Sequence, residues 1–233
     1  MQRVVVEENL KEYGDQGERR AIRGALLTFH QDPFFYPLEE SYRYESDAIV
    51  VMEGGMIVAV GSADQLLPTL ENTPITHYCD HLILPGFIDS HVHYPQTEII
   101  ASYGEQLIDW LNQYTFIAEQ KFKDRTHADQ VAKRFLQEQH RNGVTSSTIF
   151  CTVFPESVDA IFSEAERYNM RVMAGKVCMD RNAPEALLDT AQSAYDESKA
   201  LIEKWHGRGR AEYVITPRFA PTSTFEQLEM VGA

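Results

Sequence analysis

Cysteine is scarce. The 233 residues hold three, Cys79, Cys151 and Cys178, and they are widely spaced. That excludes a disulfide framework and fits a reducing compartment. Basic residues are also short: 21 Lys and Arg stand against 35 Asp and Glu, a formal net charge of -14. Such a surface disfavours a phosphate backbone, so nucleic acid is not expected as a partner, although a neutral nucleobase is not excluded. No apolar run approaches the roughly 18 residues that span a bilayer, and no membrane partner is expected. The N-terminus, MQRVVVEENLKEYGDQ, lacks the charged start and long apolar core of a signal peptide. Together these absences predict a cytoplasmic protein. What remains is ordinary for a globular chain, at 43% hydrophobic and 24% charged, long enough for one large or two small domains.

One stretch organises the rest: His81 to Gln96, HLILPGFIDSHVHYPQ. Leu82-Ile83-Leu84 is a short apolar run, Pro85-Gly86 breaks it, and Phe87-Ile88 resumes it before Asp89-Ser90-His91-Val92-His93. Alternate side chains of a strand share a face, so His91 and His93 point one way and Val92 the other. Two imidazoles so placed can reach one cation; zinc, iron and nickel all suit imidazole. Two ligands alone do not make a site, and the bland reading is a pair of unrelated histidines near a strand end.

The chain in order reads as two parts. Residues 1–20 are charged and weakly periodic, and predict a disordered or loosely attached arm. Ala21 to His30 reads as a strand, and Gln31 to Tyr44 as a loop rich in aromatics and proline. Asp47 to Val60 forms two apolar runs around Glu53-Gly54-Gly55, a hairpin signal. Ala63 to Leu67 suggests a helical turn. His77, Cys79 and His81 alternate, but nothing nearby completes a tetrahedral metal shell.

Beyond Gln96 strands alternate with helices. Leu107, Leu111 and Tyr114 fall at helical spacing, either a plain amphipathic helix or a lid over a flat substrate. A helix over Thr126 to His140, with a capping signal at Thr126 and Asp129, ends at Asn142-Gly143. Val144 to Val153 is a strand. Pro155 opens a helix with Val158, Ile161, Phe162 and Ala165 on one stripe. Arg171 to Cys178 is the next strand, Pro184 to Trp205 a long helix, and Glu212 to Phe219 the fourth strand, with Thr222-Ser223-Thr224 capping a last helix. Such alternation implies a parallel sheet with helices outside it. Lys176, inside the third strand, needs a partner or a function, and a structural ion pair is the expectation.

PGFIDSHVH closely resembles the first-strand signature of the amidohydrolase superfamily, metal-dependent hydrolases on a (β/α)8 TIM-type barrel. More narrowly the chain is similar to the guanine deaminase family, through His91-Val92-His93-Tyr94-Pro95-Gln96, Asp109 to Phe116, Gly175 to Asp180, and Thr216-Pro217-Arg218-Phe219. The resemblance implies an arm and small β-sandwich domain over residues 1–81 and the first half of the barrel, about four βα units, over 82–233. It implies one divalent metal, zinc, held by His91 and His93. The fourth strand, VITPRFAPT, has no lysine to bridge a second metal. The resemblance further implies that Gln96, Arg218 and Phe219 bind guanine: an amide for the purine edge, a guanidinium for the carbonyl or N3 side, and a ring or backbone for the base. Read without the family, Gln96 is a solvated loop residue, Arg218 a strand-end ion pair and Phe219 a core residue. The reaction implied is hydroxide attack on the ring carbon bearing the exocyclic amine, giving xanthine and ammonia. The remaining ligands and the proton shuttles of the family come from later strands, so no catalytic residue is expected in this chain; they are expected beyond Ala233, in a longer, homodimeric enzyme. Open alternatives are another aromatic deaminase or chlorohydrolase of the superfamily, or a non-catalytic half-barrel serving binding or assembly.

Overall fold

A computed structural model describes residues 18–233, so most of the expected N-terminal arm lies outside the described residues. The chain divides into two compact units at Pro85/Gly86, four residues beyond the 81/82 boundary read from the sequence. In the first unit β1 (Arg20–Phe29) lies between β2 (Tyr42–Glu53), antiparallel to it, and β4 (Ile75–Ile83), parallel to it. β3 (Met56–Ser62) closes the hairpin on β2 through Gly54 and Gly55, both at positive φ, as the Gly-Gly signal predicts. The loop expected over 31–44 is shorter than drawn, because a helical turn α1 (Leu38–Ser41) intervenes and β2 already begins at Tyr42.

Ile49 and Val51 face Ala21, Ala63 and Leu70, while Ala48 and Val50 face Leu26 on the other side. Among the described residues this unit holds one four-stranded sheet, order β3-β2-β1-β4, not the two facing sheets of a sandwich. The helical turn α2 (Ala63–Leu66), rather than a second sheet, covers the first face. His77, Cys79 and His81 are exposed along β4, and no cluster of three metal-ligating side chains exists among the described residues. Leu82 and Ile83 end this strand rather than begin the next, so the apolar run around Pro85-Gly86 serves two sheets.

The second unit is built on β5 (Phe87–His93), β6 (Val144–Phe150), β7 (Arg171–Gly175) and, after a two-residue strand β8 (Val177–Cys178), β9 (Ala211–Tyr213). The sheet order is β5-β6-β7-β9 and every pairing is parallel. The chain after β5 forms a short helix α3 (Leu107–Trp110), a π-helical turn (Leu111–Thr115) and α4 (Phe116–Gln120). The π turn shifts the register. Leu107 and Ile108 are exposed, and the buried face is Leu111, Thr115, Phe116 and Glu119 instead of the predicted Leu107-Leu111-Tyr114 stripe.

α5 (Arg125–Arg141) and α6 (Pro155–Arg167) are the crossover helices, burying Val131, Phe135 and Gln139 and then Val158, Ile161, Phe162 and Ala165 on their predicted faces. The cap of α5 is Asp124, whose carboxylate accepts from the Thr126 N–H, so Thr126 is inside the helix rather than before it. α7 (Ala191–Trp205) starts later than predicted, at a capping box of Thr190 and Ser193; Leu187 lies in a separate 3-10 turn, buried against Val177 and Met179. The last helix, α8 (Phe225–Val231), is capped by Thr224 as predicted, and Asp180 accepts from both the Thr224 N–H and its hydroxyl. Among the described residues no helix is long and apolar enough to cross a membrane.

Two predicted strands are each broken in the structure. β7 leaves β9 after Gly175, and β8 pairs anew with β10 (Thr216–Pro217). Gly175 marks the reason: a Cβ there would lie 1.8 Å from the Val214 carbonyl oxygen. Only glycine allows the two backbones to approach this closely.

Candidate metal centre and purine pocket

The end of β5 carries the histidine pair. The register against β6 slips between Asp89 and Val92, a bulge of the kind that re-aims side chains at sheet ends. The Asp89 carboxylate braces it: one oxygen accepts from the His91 N–H at 3.2 Å and the other from Gln139 at 3.1 Å, while Gln139 accepts from the Ser147 hydroxyl. Val92 turns to the core, and the two imidazoles lie on the same side with ring centroids 5.2 Å apart. Phe150, ending β6, stacks on His93 at 4.6 Å and touches His91 at 5.0 Å.

Burial, with the positive charges of Arg218 and His91 behind it, pushes the His93 imidazole down to about 4. The ring is therefore neutral at physiological pH, the form that ligates a metal. Its Nδ1 is buried and has no hydrogen-bond partner, so the pair offers a donor atom that the protein itself leaves unsatisfied. These residues fit a divalent cation, and they supply two of its ligands.

Downstream, Tyr94 is fully buried and its hydroxyl donates to the Ser157 carbonyl at 2.6 Å, anchoring the turn on which Gln96 sits half-buried. Arg218 follows β10, where its N–H donates to the Cys178 carbonyl at 3.2 Å. Its guanidinium is buried. Nη1 donates to Glu119 Oε2 at 2.7 Å, and the Phe116 ring lies 5.5 Å away. Glu119 and Phe116 are one helical turn apart on α4, so one helix face grips the cation with a carboxylate and a ring. Burial pushes the Glu119 carboxyl up, while Arg218 and then the Gln96 amide favour its charged form. Glu119 Oε1 nevertheless has no hydrogen bond of standard geometry. Gln96, Glu119 and Arg218 thus belong to one electrostatic group beside the histidines.

Phe219 is not drawn into this group: its side chain is 42% exposed, and its carbonyl is occupied by the Thr222 N–H and hydroxyl. A cleft of about 510 Å³ is lined by His91, His93, Gln96, Trp110 and Gln139, among others; Arg218 and Glu119 do not line it. Lys176 is the structural ion pair that its sequence position predicts, with Nζ 2.8 Å from Asp189 and 2.9 Å from Glu197. Sequence reasoning missed Asp89, Gln139, Phe116, Glu119 and Phe150. The spacing of Phe116 and Glu119 on a helix is a weak signal, and nothing in the sequence links Glu119 to Arg218.

Comparison with known proteins gives this arrangement a lineage. The chain is 45% identical over 215 residues to guanine deaminase of Escherichia coli (strain K12), covering 91% of this chain and 48% of that protein. It superposes on the guanine deaminase structure from Bradyrhizobium japonicum with TM-score 0.88 at 39% identity, over 92% of this chain and 47% of that one. The guanine deaminase of C. acetobutylicum, solved with guanine bound in its active site, matches with TM-score 0.80 at 26% identity, over 92% and 50%. The chain spans about half the length of the relatives it matches. Residues 82–233, which hold the histidine pair, Gln96, Glu119 and Arg218, match the sequence profile of the amidohydrolase family. With that profile spanning its parallel sheet and the paired histidines at the end of β5, the chain belongs to the amidohydrolase family.

Proposed function

We propose that this chain is the amino-terminal part of a cytoplasmic guanine deaminase, which hydrolyses guanine to xanthine and ammonia. The observation that carries the reading is the placement of the Arg218 guanidinium, buried and charge-paired, where its field reaches His93. A guanidinium fixed beside a metal-ligating pair is suited to a planar ligand with a carbonyl edge. The four parallel strands then form the first half of the barrel, and residues 1–81 its small β domain. The homodimer is part of the same proposal.

His91 and His93 hold one divalent ion, zinc, which when bound makes hydroxide available from water at neutral pH. The chain's own residues do the rest of the local work. Phe150 fixes both rings, and Asp89 fixes the bulge beneath them. Gln96 offers a donor and an acceptor to the purine edge. Arg218 spends Nη1 on Glu119 and keeps its other N–H groups for the purine carbonyl or N3 side. Phe219 adds apolar surface for the base.

The test uses the complete enzyme. Arg218→Ala and Gln96→Ala are expected to cut kcat/KM for guanine at least tenfold, because a site built to hydrogen-bond its substrate loses strongly when a partner is removed. His91→Ala and His93→Ala are expected to lose bound zinc, read by elemental analysis. Guanine turnover unchanged in both pocket variants, with zinc retained, would assign the chain to another aromatic substrate of the family.

A further inference from the structure

We propose that Glu119 is a positioning residue for purine recognition: its buried carboxylate holds the Arg218 guanidinium in the orientation that reads the base. The inference rests on the guanine reading and deepens it. Glu119 is 99 residues from Arg218 in sequence, yet their side chains are only 1% and 6% exposed and meet at 2.7 Å. A buried arginine on a strand end has several rotatable bonds, and one carboxylate contact removes most of that freedom. The opposite side is closed by Phe116 from the same helix face. α4 also packs on the turn that carries Gln96, so the helix borders both side chains expected to read the purine.

The bland role for such a pair is to neutralise a buried charge. Two features argue for more. A neutralising carboxylate would commonly be satisfied at both oxygens, whereas Glu119 Oε1 is buried without a standard partner. The helix is also re-aimed by the π turn immediately before it, which brings Glu119 and Phe116 inward and leaves Leu107 and Ile108 exposed. Sequence alone assigns Glu119 no role, since a glutamate on a short helix normally faces water.

The test measures xanthine binding by calorimetry and guanine turnover with the zinc-loaded complete enzyme. Four variants are compared with wild type: Glu119→Gln, Glu119→Asp, Arg218→Met and Glu119→Gln/Arg218→Met. Glu119→Gln is expected to raise the xanthine Kd and the guanine KM about tenfold or more while kcat changes far less, as for an interaction used in ground-state binding. Added to Arg218→Met it should change Kd less than about twofold, because Glu119 acts through that residue. Glu119→Asp, which keeps the charge, should recover part of the affinity, and it serves as the measure if Glu119→Gln does not fold. An equal effect in both backgrounds, or no effect of either single Glu119 variant, overturns the proposal. Wild type that binds xanthine but does not deaminate guanine sinks the functional reading and leaves the Kd series to judge Glu119. Wild type that binds no xanthine overturns both.

Discussion

Replacing Lys176 with methionine keeps the length of the side chain and deletes its charge. Nζ sits 2.8 Å from Asp189 and 2.9 Å from Glu197, with the lysine fully buried, Asp189 7% exposed and Glu197 40% exposed. Glu197 can turn to water and Asp189 cannot. Removing the cation therefore strands one buried carboxylate, a loss of about 3–5 kcal/mol at neutral pH. Burial already pushes the Asp189 carboxyl up to about 6 against the pull of Lys176. Burial disfavours the Lys176 ammonium too, but Asp189 and Glu197 outweigh it and hold its pKa above the ordinary lysine value.

The sign of the pH effect follows. A carboxyl whose folded pKa exceeds its unfolded value binds its proton more tightly in the folded state, so folding gains as pH falls. In the variant the Asp189 pKa climbs further, and the deficit shrinks towards pH 6 by up to about 1.4 kcal/mol per pH unit. Urea unfolding of the complete enzyme at pH 6 and pH 8, followed by tryptophan fluorescence, reads both quantities. A loss under about 1 kcal/mol at pH 8, or an equal loss at both pH values, would refute the assignment of Lys176 as the counter-charge of Asp189.

Gly175→Ala is expected to cost at least about 1–3 kcal/mol, since the new methyl meets the Val214 carbonyl rather than a flexible side chain; it should also lower guanine turnover, because the strand it displaces leads into Arg218. Cys79 is exposed while Cys151 and Cys178 are buried, and burial pushes the Cys178 thiol up to about 11 and Cys151 upward as well. Brief alkylation of the native protein followed by peptide mapping should therefore label Cys79 and spare the other two. Phe87 and Ile88 lie on the edge strand β5 at 56% and 72% exposure, so the 233-residue chain made alone should associate in size-exclusion chromatography; a clean monomer with a sharp thermal transition would contradict this.

Much of this architecture is legible in the residues. Stripes such as Val158, Ile161, Phe162 and Ala165 bury the face their spacing predicts, and Gly54-Gly55 turns the hairpin it announces. Local signals of this kind need only neighbours in sequence. The breaks at Gly175 and after Tyr213 were hidden because the apolar pattern runs through them, and only the approach of two strands about forty residues apart makes glycine necessary. The α5 cap moved to Asp124 because Thr126 and Asp129 imitate a capping signal two residues later. His91, His93, Gln96 and Arg218 were found by motif and lie in one region of the second unit. Glu119 was not, because its burial depends on a partner that the chain supplies much later. Phe219 stood out in the sequence for its ring, which the structure leaves largely outside the group.

The π turn at Leu111–Thr115 makes the spacing of this segment unforgiving. Loss of a single amino acid there would let the helix relax to ordinary winding and swing everything after it by about 100°. Among descendants of this gene, substitutions along the turn should therefore accumulate more readily than changes in its length, because a deletion would carry Phe116 and Glu119 away from Arg218 together.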